Sequence, residues 1–289
     1  MTLRGDFLEA LRERSLIMDG ACGTMLRSRG LTDPDCLLAV SHPEIIIGLH
    51  SQYAAAGADI LRTATFNVST LALSHPSPEE FIRTTIQAAC QAARKGAKQS
   101  GRRIFISGCI GPAKTTRADY FAMQREAFEL EGVDLLCIET AYEPVGTRVT
   151  LEGCSNFSEL PVMLSVTPVG ATPEEQRRQI AELMAIGEEY QVPILGLNCG
   201  SDPRGLAEMT SLIPDSVVPA FCPSCGLPDA EGHYHLTPKE FVSIIEPLIA
   251  AGRINIAGGC CGTTPEHIRL LSPAAHGARS GESKTFIGQ

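Results

Sequence analysis

Three cysteines in this chain are spaced so that they could hold a metal ion together. Cys260 and Cys261 are adjacent thiols within a run of small residues from Gly258 to Pro265. Cys199 ends an apolar segment and is followed by Gly200. Three thiol ligands suit a zinc site whose fourth position stays open, and open sites are catalytic rather than structural. The pattern therefore predicts a catalytic zinc bound by Cys199, Cys260 and Cys261, with a substrate thiol as the natural fourth ligand.

The composition limits the class of protein and its partners. The chain has 289 residues, of which 44% are hydrophobic, enough for one large α/β barrel or two small domains. Its formal net charge of −9 argues against nucleic acid as a partner, because nucleic-acid binding depends on clustered Lys and Arg. No apolar run approaches the roughly 20 residues that span a bilayer, so we predict no membrane partner and a cytoplasmic location.

Cysteine usage agrees with that location. The chain has 11 cysteines, an odd number, and no secretory context. Reduced thiols are therefore expected rather than a disulfide framework. Four cysteines away from the motifs are interpreted as small core residues. They are Cys90, Cys109, Cys137 and Cys154.

Eight apolar segments of strand length alternate with stretches of helical periodicity, such as residues 79–99 and 174–190. The predicted strands are residues 16–21, 59–66, 103–110, 134–141, 161–167, 193–199, 216–222 and 254–260. Several predicted helices begin with a cap residue followed by proline, the order typical of the Ncap and N1 positions. These helix starts are Ser77, Thr172, Asp202, Thr237 and Thr264.

This alternation favours a single (β/α)8 TIM barrel in the α/β class. We predict that the barrel covers residues 1–272 and that residues 273–289 form a flexible C-terminal tail. A doubly wound sheet is the alternative. The glycine-rich segment 19–24 weakens it, because its spacing does not fit the dinucleotide-binding fingerprint.

In such a barrel the polar residues at the strand ends all face one rim, where the active site lies. The rim residues predicted in this way are Asp19, Thr63, Thr65, Asn67, Glu139, Thr140, Asn198, Cys199, Cys260 and Cys261. Two carboxylates and three thiols would then converge on one site. The three thiols follow strands six and eight, which flank strand seven, so they can meet around one metal ion.

Other interpretations of these residues remain open. The glycines before Cys260 also suit a phosphate-binding turn ahead of a capped helix, and Glu139 could be a solvated loop carboxylate. Cys222, Cys225, His233 and His235 superficially resemble the two-cysteine, two-histidine ligand set of a structural zinc site. The spacing between Cys225 and His233 is shorter than a finger helix needs.

A Schiff-base aldolase is disfavoured. Lys114 is the lysine nearest the predicted rim, and it lies in a loop, whereas no lysine ends a predicted strand.

Taken together, the motifs resemble the homocysteine S-methyltransferase family from about residue 16 to about residue 271. The segment 18–24 is similar to the family's opening D-G-x-x-G-T, and residues 42–66 look most like the cobalamin-dependent methionine synthase branch. Ile138-Glu139-Thr140, Gly196-Leu197-Asn198-Cys199 and the segment 258–265 complete the set.

The resemblance implies a zinc ion bound by Cys199, Cys260 and Cys261, with the sulfur of homocysteine as fourth ligand. Coordination deprotonates a thiol whose ordinary pKa is near 8.5. The sulfur would then attack the methyl group of a donor, and homocysteine would become methionine.

The resemblance also implies how homocysteine is held. Asp19 and Glu139 would bind its ammonium group, and backbone N–H groups near Ala21 and Cys22 would bind its carboxylate. Three further rim residues are expected to contribute to substrate binding. They are Thr65, Asn67 and Asn198.

The chain departs from the family pattern in the loops that face the methyl donor. Where relatives often read P-N-A-G after strand seven, this chain has Pro223-Ser224-Cys225-Gly226, so Ser224 or Cys225 could become a resting zinc ligand. Ala64 replaces a frequent asparagine, and the loop 111–117 is shorter than expected. The signature of a cobalamin-binding module is absent from the sequence. The donor is therefore either a small molecule or a separate methylcorrinoid protein.

Two alternatives to homocysteine methylation follow from these departures. One is a methyltransferase that acts on another thiol or on a corrinoid protein. The other is a non-catalytic zinc-binding or thiol-binding barrel that Cys225 closes.

Overall fold

The computed structural model describes residues 3–154 and 160–276. Within them, eight parallel strands pair in the order β1-β8-β7-β6-β5-β4-β3-β2. A bridge between Met18 and Ile60 connects the first strand to the second, and the sheet curls into a barrel. The predicted (β/α)8 TIM barrel is confirmed, and the doubly wound alternative is wrong.

The strands are shorter than the apolar segments that predicted them but lie within them, apart from one residue in β7. They are β1 (Leu16–Ile17), β2 (Ile60–Arg62), β3 (Phe105–Ile110), β4 (Leu135–Ala141), β5 (Val162–Val166), β6 (Ile194–Cys199), β7 (Val218–Pro223) and β8 (Ile256–Ala257).

Helices surround the strands. They are α1 (Leu3–Glu13), α2 (Gly23–Arg27), α3 (Asp35–Ser41), α4 (Pro43–Ala55), α5 (Val68–Ala72), α6 (Pro78–Lys98), α7 (Asp119–Glu131), α8 (Pro144–Cys154), α9 (Pro173–Glu189), α10 (Pro203–Met209), α11 (Pro238–Ala250) and α12 (Pro265–His276), with a 3₁₀ turn at Thr210–Leu212.

The predicted cap residues explain where several helices begin. Thr172 and Thr237 form complete capping boxes with Glu175 and Glu240, and each is followed by proline. The Asp202 side chain accepts a hydrogen bond from the backbone N–H of Arg204. Each of these caps satisfies N–H groups that the first turn of a helix leaves without an intrahelical partner. The side chain of Ser77 occupies the cap position of α6 without a capping hydrogen bond.

Side chains fill the inside of the barrel, and α1 closes its lower end. Met18, Phe105 and Met163 belong to this inner cluster, and Phe7 of α1 packs edge-on against Phe105 with ring centroids 5.2 Å apart. A larger cluster fills the space between the strands and the outer helices. The four cysteines predicted as core residues are buried. Since the lower end is closed, the strand C-termini form the face on which a ligand can enter.

The last helix runs past the predicted end of the barrel. Helix α12 continues to His276, and its Ser272 and Ala275 are buried. The His276 Nε2 atom lies 3.2 Å from a carboxylate oxygen of Asp59, which also pairs with Arg14 at 2.8 Å. Helix α12 thus extends four residues beyond the barrel boundary predicted at residue 272. The rest of the predicted tail, residues 277–289, lies outside the described residues.

None of the helices in the described ranges combines the length and the apolar character that crossing a bilayer requires.

Candidate metal centre and substrate cavity

The barrel brings the three predicted thiols together on its upper rim. Cys199 is the last residue of β6, and Cys260 and Cys261 lie in the turn after β8. Their sulfur atoms lie within 4.8 Å of one another, with 4.0 Å between Cys260 Sγ and Cys261 Sγ. In the described ranges, this is the one group of three or more candidate ligands that meets this distance. The arrangement can surround a single metal ion.

The turn that carries two of the thiols is fixed by contacts with its neighbours. Cys260 donates its backbone N–H to the carbonyl of Pro223, and the carbonyl of Cys261 accepts from Cys225. A side chain at Gly258 would place its Cβ 2.8 Å from the Cβ of Met18, so the close approach requires glycine.

The same turn does not resemble a phosphate site. The N–H of Gly258 donates to Phe221, that of Gly259 to Asp19, and that of Gly262 to the hydroxyl of Thr24. A phosphate-binding turn needs such N–H groups free to point at the ligand. These three N–H groups already have acceptors, so the turn does not offer them to a phosphate.

The thiols share protons unequally. Hydrogen bonds from Cys199 and Cys260 lower the pKa of Cys261 to about 3. Hydrogen bonds with Cys260 and Cys261 raise the pKa of Cys199 far above its ordinary range. Among the three residues, the thiolate form is therefore favoured most at Cys261. A bound divalent cation would displace the remaining protons, because metal ligands must be deprotonated.

A cavity of about 450 Å³ opens in front of the thiols. Its wall includes five of the seven predicted substrate-binding residues, namely Asp19, Ala21, Cys22, Asn67 and Glu139. The other two are Thr65 and Asn198, which are buried and hold strand ends together. The Thr65 hydroxyl donates to the carbonyl of Cys109, and the Asn198 amide donates to Thr140.

Arg62, at the end of β2, was not among the predicted site residues. It forms ion pairs with both carboxylates of the predicted site, Asp19 and Glu139. Its Nε atom lies 2.8 Å from Asp19 Oδ1, and its Nη1 atom lies 2.9 Å from Glu139 Oε2. Its Nη2 atom donates to the carbonyls of Asp19, Gly20 and Gly259. An arginine at the end of an apolar strand, on the rim where two carboxylates were expected, was the available signal.

Burial controls the electrostatics of this cluster. It raises the pKa of Asp19 to about 6, although the Arg62 guanidinium opposes the shift. Burial alone would lower the pKa of Arg62, but Glu139 and Asp19 raise it well above its ordinary value. With both carboxylates ionised, the cluster carries one net negative charge beneath the cavity.

The backbone N–H of Ala21, predicted to bind the substrate carboxylate, is already hydrogen-bonded within the protein. The N–H of Ala21 donates to the Thr263 hydroxyl at 3.0 Å, and its carbonyl accepts from the Tyr53 hydroxyl at 2.8 Å. This N–H group therefore already has an acceptor. Cys22 follows at the start of α2 and lines the cavity.

The group of three mutually close thiols does not include a side chain of the loop after β7. The Cys225 thiol lies 3.4 Å from His267 Nε2, and Cys225 is buried. The Ser224 hydroxyl donates to the carbonyls of Gly200 and Gly226. Both side chains thus have hydrogen-bond partners other than the three thiols.

The second metal site considered from the sequence is wrong, because its four residues point to different neighbours. The Cys222 thiol lies 4.0 Å from the sulfur of Met18, inside the barrel. The imidazoles of His233 and His235 both lie beside Asp229, on the exposed part of the loop.

Comparison with known proteins identifies the sequence pattern. The model of a family described as homocysteine S-methyltransferase matches residues 16–275. The matched range contains the three thiols and the cavity in front of them.

Solved structures share the fold. The homocysteine methyltransferase MmuM from Escherichia coli matches in its apo form with a TM-score of 0.68 at 23% identity, covering 90% of this chain and 95% of that one. Its metallated form gives 0.70 at 20% identity, covering 94% and 99%. The carboxyl transferase domain of Rhizobium etli pyruvate carboxylase gives 0.51 at 16% identity, covering 94% and 49%. At these identities the likeness establishes the barrel, on which many different reactions occur.

Proposed function

Because this chain belongs to the homocysteine S-methyltransferase family, we propose that it is a zinc-dependent enzyme that methylates the sulfur of homocysteine and so forms methionine. The observation that carries the proposal is the convergence of Cys199, Cys260 and Cys261 to within 4.8 Å of one another at the wall of a cavity. Family membership supplies homocysteine as the thiol.

The donor set fits zinc. Thiolate is a soft ligand that favours zinc over magnesium or calcium, and three protein ligands are the number found in catalytic zinc sites. Cys225 and Ser224 are held by other partners, which favours an open fourth position. A bound zinc ion would supply the ionisation of the substrate thiol at neutral pH.

The protein's own residues would hold and shield the reactants. The cavity of about 450 Å³ lies within the usual size range of small-molecule sites, roughly 300–1,000 Å³. Cys22 and Asn67 line its wall, where they can contact homocysteine. We propose that the methyl donor approaches through the open side of the cavity, either as a small molecule or carried by a methylcorrinoid protein.

Metal analysis and a methylation assay together test this function. Purified protein should contain about one zinc per chain and convert homocysteine to methionine with at least one donor from a panel of S-methylmethionine, S-adenosylmethionine, betaine and methylcobalamin. Cys199→Ala should lose the metal and lower kcat/KM by more than about 100-fold, because even changes behind the ligands cost 10–100-fold.

Cys225→Ala is the matched control, since it removes a buried thiol next to the site and should retain both zinc and activity. Full zinc occupancy in a variant with alanine at positions 199, 260 and 261 would refute the metal assignment. Inactivity of the zinc-loaded protein toward homocysteine with the whole donor panel would refute the reaction.

A further inference from the structure

Two residues on the rim have a backbone conformation that is rare for residues other than glycine. Cys199, at the end of β6, has a φ of 60°, and Thr140, near the end of β4, has a φ of 61°. In the described ranges, Gln191 is the one other such residue. This left-handed region is unfavourable for L-residues, and most of all for a β-branched residue such as threonine. Strain of this kind persists only where the surrounding structure holds it in place.

The conformation of Cys199 decides where its thiol points. In β6, Ile194 belongs to the cluster inside the barrel, whereas Leu195 and Leu197 belong to the cluster beneath the outer helices. Successive side chains of a strand point to opposite faces, so a regular continuation would direct Cys199 toward the helices. Cys199 lines the cavity instead. The left-handed turn therefore brings its sulfur to the other two thiols.

Thr140 is redirected in the same way. Ile138 belongs to the outer cluster, so regular alternation would direct Thr140 outward as well. The pairing of β4 with β5 shifts its register between Ile138 and Ala141, as at a β-bulge, and bulges re-aim side chains next to active sites. As a result, Thr140 and the preceding Glu139 both line the cavity.

One buried side chain connects these two strand ends. Asn198 is 1% exposed. Its Oδ1 atom accepts from the backbone N–H of Thr140 at 3.2 Å, and its Nδ2 atom donates to the Thr140 hydroxyl at 3.0 Å. The Thr167 hydroxyl, after β5, donates to the carbonyl and to Oδ1 of Asn198 at 3.1 and 3.2 Å. A carboxamide suits this position because it both accepts and donates hydrogen bonds.

These contacts fix the backbone on both sides of the metal ligand. Asn198 immediately precedes Cys199, and the carbonyl of Cys199 accepts from the backbone N–H of Ser224 at 3.0 Å. Without the Asn198 side chain, the N–H of Thr140 would lose its acceptor, and the strain at both left-handed residues could relax. Binding of a metal would then have to restore the strained conformation, which would lower the affinity.

We propose that Asn198 is a positioning residue, which holds Cys199 and Thr140 in their left-handed conformations before a metal binds. The inference rests on the proposed function, because it concerns the orientation of a proposed zinc ligand. It gives Asn198 a role behind the ligands in place of the substrate contact expected from the sequence.

The zinc affinity of the metal-free protein tests this role. Asn198→Ala should lower the affinity, measured by competition with a chelating dye, by about 10- to 100-fold, the range for residues that orient metal ligands. Thr140→Val has nearly the shape of threonine and removes only the hydroxyl. It should lower the affinity by about 2- to 10-fold, the range for one neutral hydrogen bond. The double variant should bind no more weakly than Asn198→Ala, because both changes break the same connection.

Asn255→Ala is the matched control. Asn255 is also a buried asparagine, 2% exposed, but it precedes β8 at the opposite end of the barrel. Its replacement should leave the zinc affinity within about twofold of the wild-type value, whatever its effect on thermal unfolding. Equal weakening by Asn255→Ala and Asn198→Ala would overturn the proposal, because the affinity would then follow general stability.

The absorption of the cobalt-loaded protein gives a signature that a loss of stability alone would not change. Asn198→Ala should lose up to about a third of the thiolate-to-cobalt intensity per bound ion, because one of three thiolates is misdirected. An unchanged spectrum would overturn the positioning role and leave the metal chemistry standing. If the wild-type protein binds neither zinc nor cobalt through thiolates, the proposed function itself fails.

Discussion

The Nη1 atom of Arg62 lies 2.9 Å from Glu139 Oε2, in an ion pair that spans the rim between β2 and β4. The side chains of both residues are less than a tenth exposed. The same guanidinium pairs with Asp19 of the first β/α unit. One arginine therefore connects three parts of the barrel immediately beneath the proposed reaction site.

The first prediction concerns the role of this arginine in stability. Arg62→Leu should lower the free energy of unfolding by about 3–5 kcal/mol, because it leaves Asp19 and Glu139 as uncompensated buried charges. Urea denaturation measures the change. Glu139→Gln combined with Arg62→Leu should restore part of the loss.

The control for this prediction is Arg117→Leu, which removes an arginine from an exposed pair with Asp119. It should leave the unfolding transition unchanged, since exposed pairs contribute little. Equal stability of Arg62→Leu and the wild-type protein would show that the rim tolerates two unpaired carboxylates.

The second prediction is a pH dependence of stability that comes from Asp19. Its pKa is raised from 3.8 to about 6 in the folded protein, mainly by burial. The folded state then binds a proton that the unfolded state has released, so stability should fall as the pH rises from about 4 to about 6. The total loss would be about 3 kcal/mol from this group.

Asp19→Asn should remove that part of the pH dependence. Urea unfolding of zinc-depleted wild-type and variant protein at several pH values measures it without interference from metal loss. Asp33→Asn, a change at an exposed carboxylate on the wall of the same cavity, is the matched control and should follow the wild-type profile. Parallel profiles for wild-type protein and Asp19→Asn would contradict the raised pKa.

The third prediction concerns the cysteine next to the metal centre. Cys225→Ala should leave zinc content and homocysteine affinity unchanged, because its thiol faces His267 rather than the three ligand sulfurs. X-ray absorption of the substrate-free, zinc-loaded protein should give three sulfur ligands. A count of four, lost in Cys225→Ala, would show instead that Cys225 closes the site and must be displaced by the substrate.

The fourth prediction is proton release on substrate binding. Homocysteine should release close to one proton per zinc-loaded chain at neutral pH, since a mostly protonated thiol becomes a metal-bound thiolate. Calorimetry in buffers of different ionisation enthalpy measures the number. Cys199→Ala without zinc should release none. Binding to the zinc-loaded protein without proton release would mean that the sulfur does not bind the metal as a thiolate.

The sequence alone determined the barrel and the thiol group, because both depend on local pattern. Strand and helix periodicity alternate along the chain, and each of the three thiols ends or follows a predicted strand. Parallel strands in a closed barrel must end on one rim, so residues at those ends meet whatever the details of packing. Thr172 and Thr237 likewise cap their helices through hydrogen bonds with residues only three positions later in the sequence.

Only the tertiary structure decided which charged groups of the rim form ion pairs with one another. Arg62 is 43 residues from Asp19 and 77 from Glu139, and a long side chain can reach either only once the barrel has closed. The direction of Cys225 likewise depends on His267, which lies 42 residues later. Spacing places a residue on the rim, but its partners are set by three-dimensional packing, which local pattern does not encode. This is why local pattern placed Asp19 and Glu139 on the rim, whereas only the folded barrel showed that Arg62 pairs with both.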